Sequence, residues 1–350
     1  MIKDTFSFSK GIDDSLIEKL SEKLNTILKD YELNDFMLGC SFLKEVPGEE
    51  KSAEGQEEEK KELRKNFQFP LAQKVKDFLG ITIDYENPDA IINIDFNTRI
   101  IAIWLKSVYI LGRYKKFSRK ISQTLFYCPK CKGRGCENCS FKGVLPFESV
   151  QELIAKEALP LFGAKSNSFH GSGREDLNVK MLGNGRQFVL ELKDPQKRTL
   201  DLKELENRIN EVNKEKIAVV DLELCKKEKV AQIKEEKHEK TYSFIAESEE
   251  EITKEALDKL TSNINKELVI FQRTPKRVSK SRADLVRRKK GTLLRIDKLS
   301  ENSLGVDFKA EHGLYIKEFV SNDSERTKPS FSSLAGIPLT CKDLDVIEIF

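Results

Sequence analysis

Ile12, Leu16, Leu20, Leu24 and Leu28 recur at near-helical spacing over residues 11–30. One apolar face at that period predicts an amphipathic helix. The period changes further on. Residues 90–96 and 99–105 are runs of aliphatic and β-branched positions, and the Asn97-Thr98 step between them reads as a hairpin turn. Residues 47–64 are rich in Glu and Lys, with Gly48, Gly55 and almost no apolar position. That composition predicts a solvated loop or disordered insertion, because little apolar surface is there to offset the entropy of ordering. From about residue 148 the pattern is mixed. Residues 150–161, 202–214 and 253–260 have helical spacing, whereas 178–192, 218–224, 242–246 and 267–271 read as strands. The expectation is an α/β (α+β) chain: a small N-terminal α/β domain, then a mixed or antiparallel sheet flanked by helices.

Composition narrows the class. The chain has 350 residues, 39% hydrophobic and 34% charged, enough for two or three soluble domains with a sizeable core. Its 61 basic and 58 acidic residues leave a net charge of +3, so only local clustering can point to a partner. The most hydrophobic stretch, 90–112, is broken by Asp95, Arg99 and Lys106, which argues against a membrane span. Met1-Ile2-Lys3-Asp4-Thr5 has no apolar segment behind its positive charge, so no secretory signal is expected and the location is read as cytoplasmic.

Seven cysteines include Cys128, Cys131, Cys136 and Cys139 in the spacing C-x2-C-x4-C-x2-C. Four thiolates on two tight turns suit tetrahedral structural zinc, in a reducing compartment. Cys40, Cys225 and Cys341 read as core or half-buried residues. Between Arg273 and Lys290 nine basic residues face one acid, Asp284. A solvated face is the ordinary reading of such a run; the near absence of acids favours phosphate contact. His170, His238 and His312 lack ligand spacing, although His170 adjoins Gly171 and is placed near any site there.

The densest chemistry lies in residues 171–186, Gly-Ser-Gly-Arg-Glu-Asp-Leu-Asn-Val-Lys-Met-Leu-Gly-Asn-Gly-Arg. Glycines let the backbone approach a bulky ligand. Arg174, Lys180 and Arg186 supply positive charge, and Asp176 can serve as nucleophile, base or metal ligand. No phosphate-binding loop or dinucleotide fingerprint is present, so no organic cofactor is expected.

That stretch resembles the catalytic motif of the archaeal and eukaryotic pseudouridine synthases that modify the TΨC arm of transfer RNA. Its pattern is similar to G-R-E-D-V-D-V-R-M-L-G-x-G-R-P-F, and Arg174-Glu175-Asp176 falls on its Arg-x-Asp core. Asn178 stands where a second aspartate is usual, and Gln187 replaces a proline. Further matches follow in order. Residues 112–119 and 121–124 resemble the run before the family's cysteine knuckle, and Lys240-Thr241-Tyr242 resembles its K-x-Y segment. Residues 272–278 are similar to a signature containing Arg273, Lys276 and Arg277, and Gly313-Leu314-Tyr315-Ile316-Lys317 resembles the third motif.

The resemblance implies a tRNA pseudouridine synthase, an isomerase of uridine 54 and/or 55, working as a monomer with tRNA as partner. Asp176 would act on the ribose, by attack or by removing a proton, and Lys317 would pair with it. Tyr242 would stack on the base, while Arg174, Tyr315, Arg273, Lys276 and Arg277 would bind substrate. The implied domains are a THUMP-type RNA-binding domain over 1–125, a zinc knuckle over 126–145 and the catalytic domain over 146–350. The alternative is a non-catalytic, zinc-containing RNA-binding protein, for which the knuckle and the basic run would suffice.

Overall fold

The structure, a computed structural model, describes residues 1–7, 13–41, 58, 61–146, 148–280 and 282–350. By contacts the chain divides into two units. One comprises residues 1–109, 156–168 and 190–201; the other comprises 110–155, 169–189 and 202–350.

The first unit is built on a five-stranded sheet: β1 (Ile2–Thr5), β2 (Asp35–Ser41), β3 (Thr82–Ile83), β4 (Ala90–Asp95) and β5 (Ile100–Leu105), in the order β1-β5-β4-β2-β3. The expected hairpin is β4–β5, antiparallel from Asp95↔Ile100 to Ala90↔Leu105. The expected N-terminal helix is α1 (Asp14–Leu28), opened by Asp13, whose side chain accepts from the Leu16 amide at 3.0 Å. An acceptor at that position satisfies one of the four free amides of a helix start. Leu16, Leu20, Leu24 and Leu28 are all buried, as their spacing requires; Ile12 lies outside the described residues. Helix α2 (Phe69–Leu79) was hidden by the polar tract before it, yet Leu71, Ala72 and Val75 give it a buried face.

Much of the tract 47–64, expected to be a loop, lies outside the described residues. Its described end is helical at residues 58 and 61–63, and Arg64 opens a π-helical turn, Arg64–Gln68. Phe67 anchors that turn, 1% exposed and edge-on to Phe96 at 5.4 Å. Among the described residues no helix is long and apolar enough to cross a membrane.

The large sheet has ten strands: β6 (Val108–Lys116), β7 (Ser166–Gly171), β8 (Lys180–Lys193), β9 (Ile217–Cys225), β10 (Lys240–Glu247), β11 (Glu267–Arg273), β12 (Val286–Ser300), β13 (Ser303–Ala310), β14 (Thr327–Lys328) and β15 (Thr340–Ile349). The order is β14-β11-β12-β13-β10-β15-β8-β6-β9, with β7 beside β8. β10 to β14 pair antiparallel and β15 pairs parallel with β8, so the sheet is mixed. Helices α3 (Val150–Phe162), α4 (Leu202–Val212), α5 (Lys229–Glu235), α6 (Lys254–Thr261), α7 (Ile316–Ser321) and α8 (Phe331–Ala335) accompany it.

Two features differ from the sequence reading. The last four residues of the basic run, for which the hydrophobic pattern gives no element, form part of a strand: Arg287, Arg288, Lys289 and Lys290 belong to β12, zipped to β11 from Arg273↔Val286 to Glu267↔Thr292. Charged side chains at every position hide a strand from a hydrophobicity pattern. In addition, residues 110–125, expected with the N-terminal domain, cluster with the second unit, since β6 lies between β8 and β9.

Candidate active site and cysteine knuckle

Residues 171–179 leave β7 and lead into β8, and buried cations hold their backbone from beneath. Tyr114 and Lys116 alternate inward on β6. The Tyr114 hydroxyl donates to the Glu175 carboxylate at 2.8–2.9 Å, and the Arg186 Nε donates to Glu175 Oε2 at 2.9 Å. Arg186 also donates to the Ser172 carbonyl at 2.8 Å, and Gln123 to the Gly173 carbonyl at 2.9 Å. Lys116 Nζ, fully buried, donates to the carbonyls of Ile121, Leu177 and Asp176 at 2.8, 2.9 and 3.3 Å. Gly173 has φ +80°, and a Cβ there would meet the Arg186 guanidinium at 3.0 Å. Gly183, at φ +57°, would place a Cβ 1.8 Å from the Ile347 carbonyl, so only glycine lets β8 run beside β15.

This scaffold turns Glu175 inward and Asp176 towards open space. Glu175 is 7% exposed. Its charge keeps Arg186 protonated although burial opposes that, and burial together with Glu175 pushes the Tyr114 hydroxyl far above its usual range. Burial lowers Lys116 from the usual lysine value, against the pull of Glu175.

Asp176 meets two cations. Lys317, on α7, places Nζ 2.9 Å from Oδ2, and Arg277 NH1 lies 3.6 Å from Oδ1. Burial works to raise the Asp176 carboxyl. The Lys317 hydrogen bond and the charges of Arg277, Lys317 and Arg174 outweigh it and hold Asp176 below the ordinary carboxylate value. Lys317 also donates to Asn178 Oδ1 at 3.0 Å. Asn178, the departure from the family pattern, thus offers Lys317 a neutral acceptor that does not compete for its charge. Arg277 is itself fixed by Glu318 on α7 at 2.5 Å.

These groups border a cavity of 410 Å³, within the size range of small-ligand pockets. Of the residues expected in a site, Asp176, Arg174, Tyr242, Arg277, Tyr315 and Lys317 line it. Tyr315 is gripped at its backbone by Gln272, through bonds of 2.8 and 3.0 Å, and Arg282 donates to its hydroxyl at 2.6 Å. Arg174 leans over the Phe126 ring at 5.9 Å. Arg273 and Lys276 are not in the lining. Arg273 pairs with Asp284 at 2.7 Å, and Lys276 donates to Ser324 at 2.8 Å. His312 lines the cavity in place of the expected His170. Lys240, from the K-x-Y match, and Arg282, from the basic run, also line it; Lys240 stands two residues before Tyr242 in a strand, a spacing that sets both on one face.

The four knuckle cysteines converge. Their sulfurs all lie within 4.8 Å of one another, with Cys128–Cys136 and Cys131–Cys139 at 3.8 Å and Cys136–Cys139 at 3.9 Å. Tetrahedral zinc with Zn–S bonds of about 2.3 Å sets sulfurs about 3.8 Å apart. Backbone amides of Gly135, Cys136 and Gly143 point at the sulfurs of Cys131 and Cys139 at 3.2–3.3 Å, as suits thiolates. The donor set fits a metal ion. Cys40, Cys225 and Cys341 are half-buried and unpaired with other cysteines.

Comparison with known proteins adds an independent finding. Residues 109–349 match the family model described as Pus10, C-terminal. A tRNA pseudouridine synthase Pus10 of Methanopyrus kandleri is 36% identical over 346 residues, covering 97% of this chain and 79% of the relative. One from Archaeoglobus fulgidus is 39% identical over 335 residues, covering 95% and 92%. Among solved structures, a Cbf5-Nop10-Gar1 complex is similar at 9% identity with a TM-score of 0.33, over 68% of this chain and 48% of that one. That likeness is too distant to carry weight.

Proposed function

We propose, from the premise that this chain belongs to the Pus10 family and is a tRNA pseudouridine synthase, that it isomerises uridine 54 and/or 55 of the TΨC arm through Asp176. The observation that carries the reading is the carboxylate itself, kept ionised by Lys317 and Arg277 at the edge of a cavity that Tyr242 also lines. The reaction breaks the N1–C1′ bond, turns the uracil and forms a C5–C1′ bond; C5 then gives up its proton and N1 takes one, so the net change is an isomerisation and no redox group or group carrier is required.

A uridine in folded RNA must leave its stack to reach such a cavity. Tyr242 stacks on the extruded base. Asp176 acts on the ribose, by attack at C1′ or by taking a ribose proton, and Lys317 prevents its protonation. Arg174, Arg277 and Arg282 offer cations to the phosphates beside the flipped nucleotide. Zinc is the ion we assign to Cys128, Cys131, Cys136 and Cys139; when bound, it supplies local folding energy to the knuckle. The N-terminal α/β unit serves as the accessory, THUMP-type RNA-binding module, and the protein acts as a monomer. A non-catalytic RNA binder leaves without a purpose the carboxylate of Asp176, set among the cations Arg174, Arg277 and Lys317 at the edge of the cavity.

The test is to incubate purified protein with an unmodified tRNA transcript and map pseudouridine by position. Pseudouridine at 54 or 55 supports the reading; modification elsewhere, or none, overturns it.

A further inference from the structure

Successive side chains of a strand point to opposite faces, so Lys240 and Tyr242 on β10 share one face, and both line the cavity of Asp176. Lys240 is 8% exposed. Neighbouring buried ions are tied: Lys116 to three carbonyls, Arg186 to Glu175 and Ser172, Glu175 to Tyr114. The Lys240 ammonium, by contrast, has no hydrogen bond or ion pair among the described residues. Burial and then the Arg186 charge push it down to about 8, against the pull of Glu175. Gly173 stands in front of it, and even a Cβ at that glycine would reach within 3.8 Å of Nζ. The Lys240 nitrogen is not among the fully enclosed side-chain atoms that lack a partner, so it faces the open cavity. A ligand that fills the cavity and shuts out water must supply the acceptor, because a donor enclosed without one is costly.

We propose that Lys240 is a substrate-binding residue that donates a hydrogen bond to a carbonyl oxygen of the extruded uracil. This rests on the pseudouridine synthase reading. Residues two apart in a strand are separated by about 6.5 Å, so a pyrimidine stacked on Tyr242 presents its edge to Lys240. A phosphate, charged and hydrated, suits the more exposed Arg277 and Arg282 better. The chemistry adds a reason for one donor at this place. Turning uracil about its N3–C6 axis exchanges N1 with C5 and also exchanges O2 with O4. One fixed ammonium therefore meets one carbonyl in the substrate and the other in the product, and it orients the ring on both sides of the rotation.

The experiment compares wild type with Lys240→Met on tRNA carrying uridine, 2-thiouridine or 4-thiouridine at the target, since sulfur is a weaker acceptor than oxygen. The single-turnover rate of Lys240→Met on uridine should fall on the order of 10- to 100-fold, as expected for one buried charged hydrogen bond. Its tRNA affinity should change by less than about threefold, because the phosphate-binding cations remain. One thio substitution should slow wild type and leave Lys240→Met unaffected. Melting should show Lys240→Met at least as stable as wild type, since an unpaired charge is removed; if it does not fold, Lys240→Gln replaces it in the same comparison. A variant rate within about twofold of an active wild type overturns the proposal and leaves the enzyme reading intact. So does a slow variant whose thio effects equal those of wild type. A wild type inactive on every arm would instead sink the enzyme reading itself.

Discussion

Lys317 Nζ lies 2.9 Å from Asp176 Oδ2, across 141 residues of sequence. The pairing brings a short helix, α7, against the loop between β7 and β8, and it is the strongest hydrogen-bonding influence on the Asp176 charge. Because the folded Asp176 titrates below its ordinary value, its ion pair stabilises the fold fully above that ordinary value. The stabilisation is lost as pH falls through the folded value. Lys317→Met should therefore move the acid limb of kcat/KM upward in pH, towards the ordinary carboxylate range, with a drop of about 10- to 100-fold at neutral pH. A pH–rate profile with an unmoved acid limb would count against the pairing.

Glu175, one residue from Asp176, behaves differently. Sequence alone makes it a reasonable silent control, yet its carboxylate is buried against Arg186, Tyr114 and Lys116. Glu175→Ala leaves two buried cations uncompensated and should cost about 3–5 kcal/mol of stability. Chemical denaturation checks this, and a change below about 1 kcal/mol would show the network to be slack.

How much of this was legible beforehand follows from particular residues. The leucines of α1 and the β-branched run of β4–β5 announce themselves by period. The Arg-Glu-Asp stretch and the four cysteines announce themselves by residue type. The partition between Glu175 and Asp176, one inward and one outward, could not be read, because it depends on Tyr114 and Lys116 arriving from β6. Four consecutive basic residues conceal β12, and the ion pair of Arg273 with Asp284 depends on how the chain returns between β11 and β12.

The knuckle should bind about one zinc per chain. Cys131→Ser should abolish the binding, and chelation of the wild type should lower its melting temperature, because metal binding and local folding are coupled. Elemental analysis of protein purified without chelator, combined with a melt, checks both; a metal-free protein with an unchanged melt rules the site out.

The basic run is partly neutralised within the fold, since Lys289 pairs with Glu311 at 3.7 Å and Lys290 with Glu267 at 2.9 Å. Arg288 and Lys280 are exposed and make no ion pair among the described residues. Replacing these two with Ala should lower the log–log salt slope of tRNA binding by roughly 0.7–0.9 for each phosphate they neutralise in the wild type. Salt titrations of binding for wild type and variant supply the test, and identical slopes would make the run a solvated face.

The most direct measurement is pseudouridine formation by Asp176→Asn on a tRNA transcript, alongside its tRNA affinity. The substitution keeps the size and much of the hydrogen bonding of the side chain, while removing the charge that Lys317 and Arg277 hold in place. Conversion at positions 54 and 55 should fall to background while tRNA binding stays within about threefold of wild type. Conversion at a near-wild-type rate would contradict the assignment and leave Asp176 a structural carboxylate.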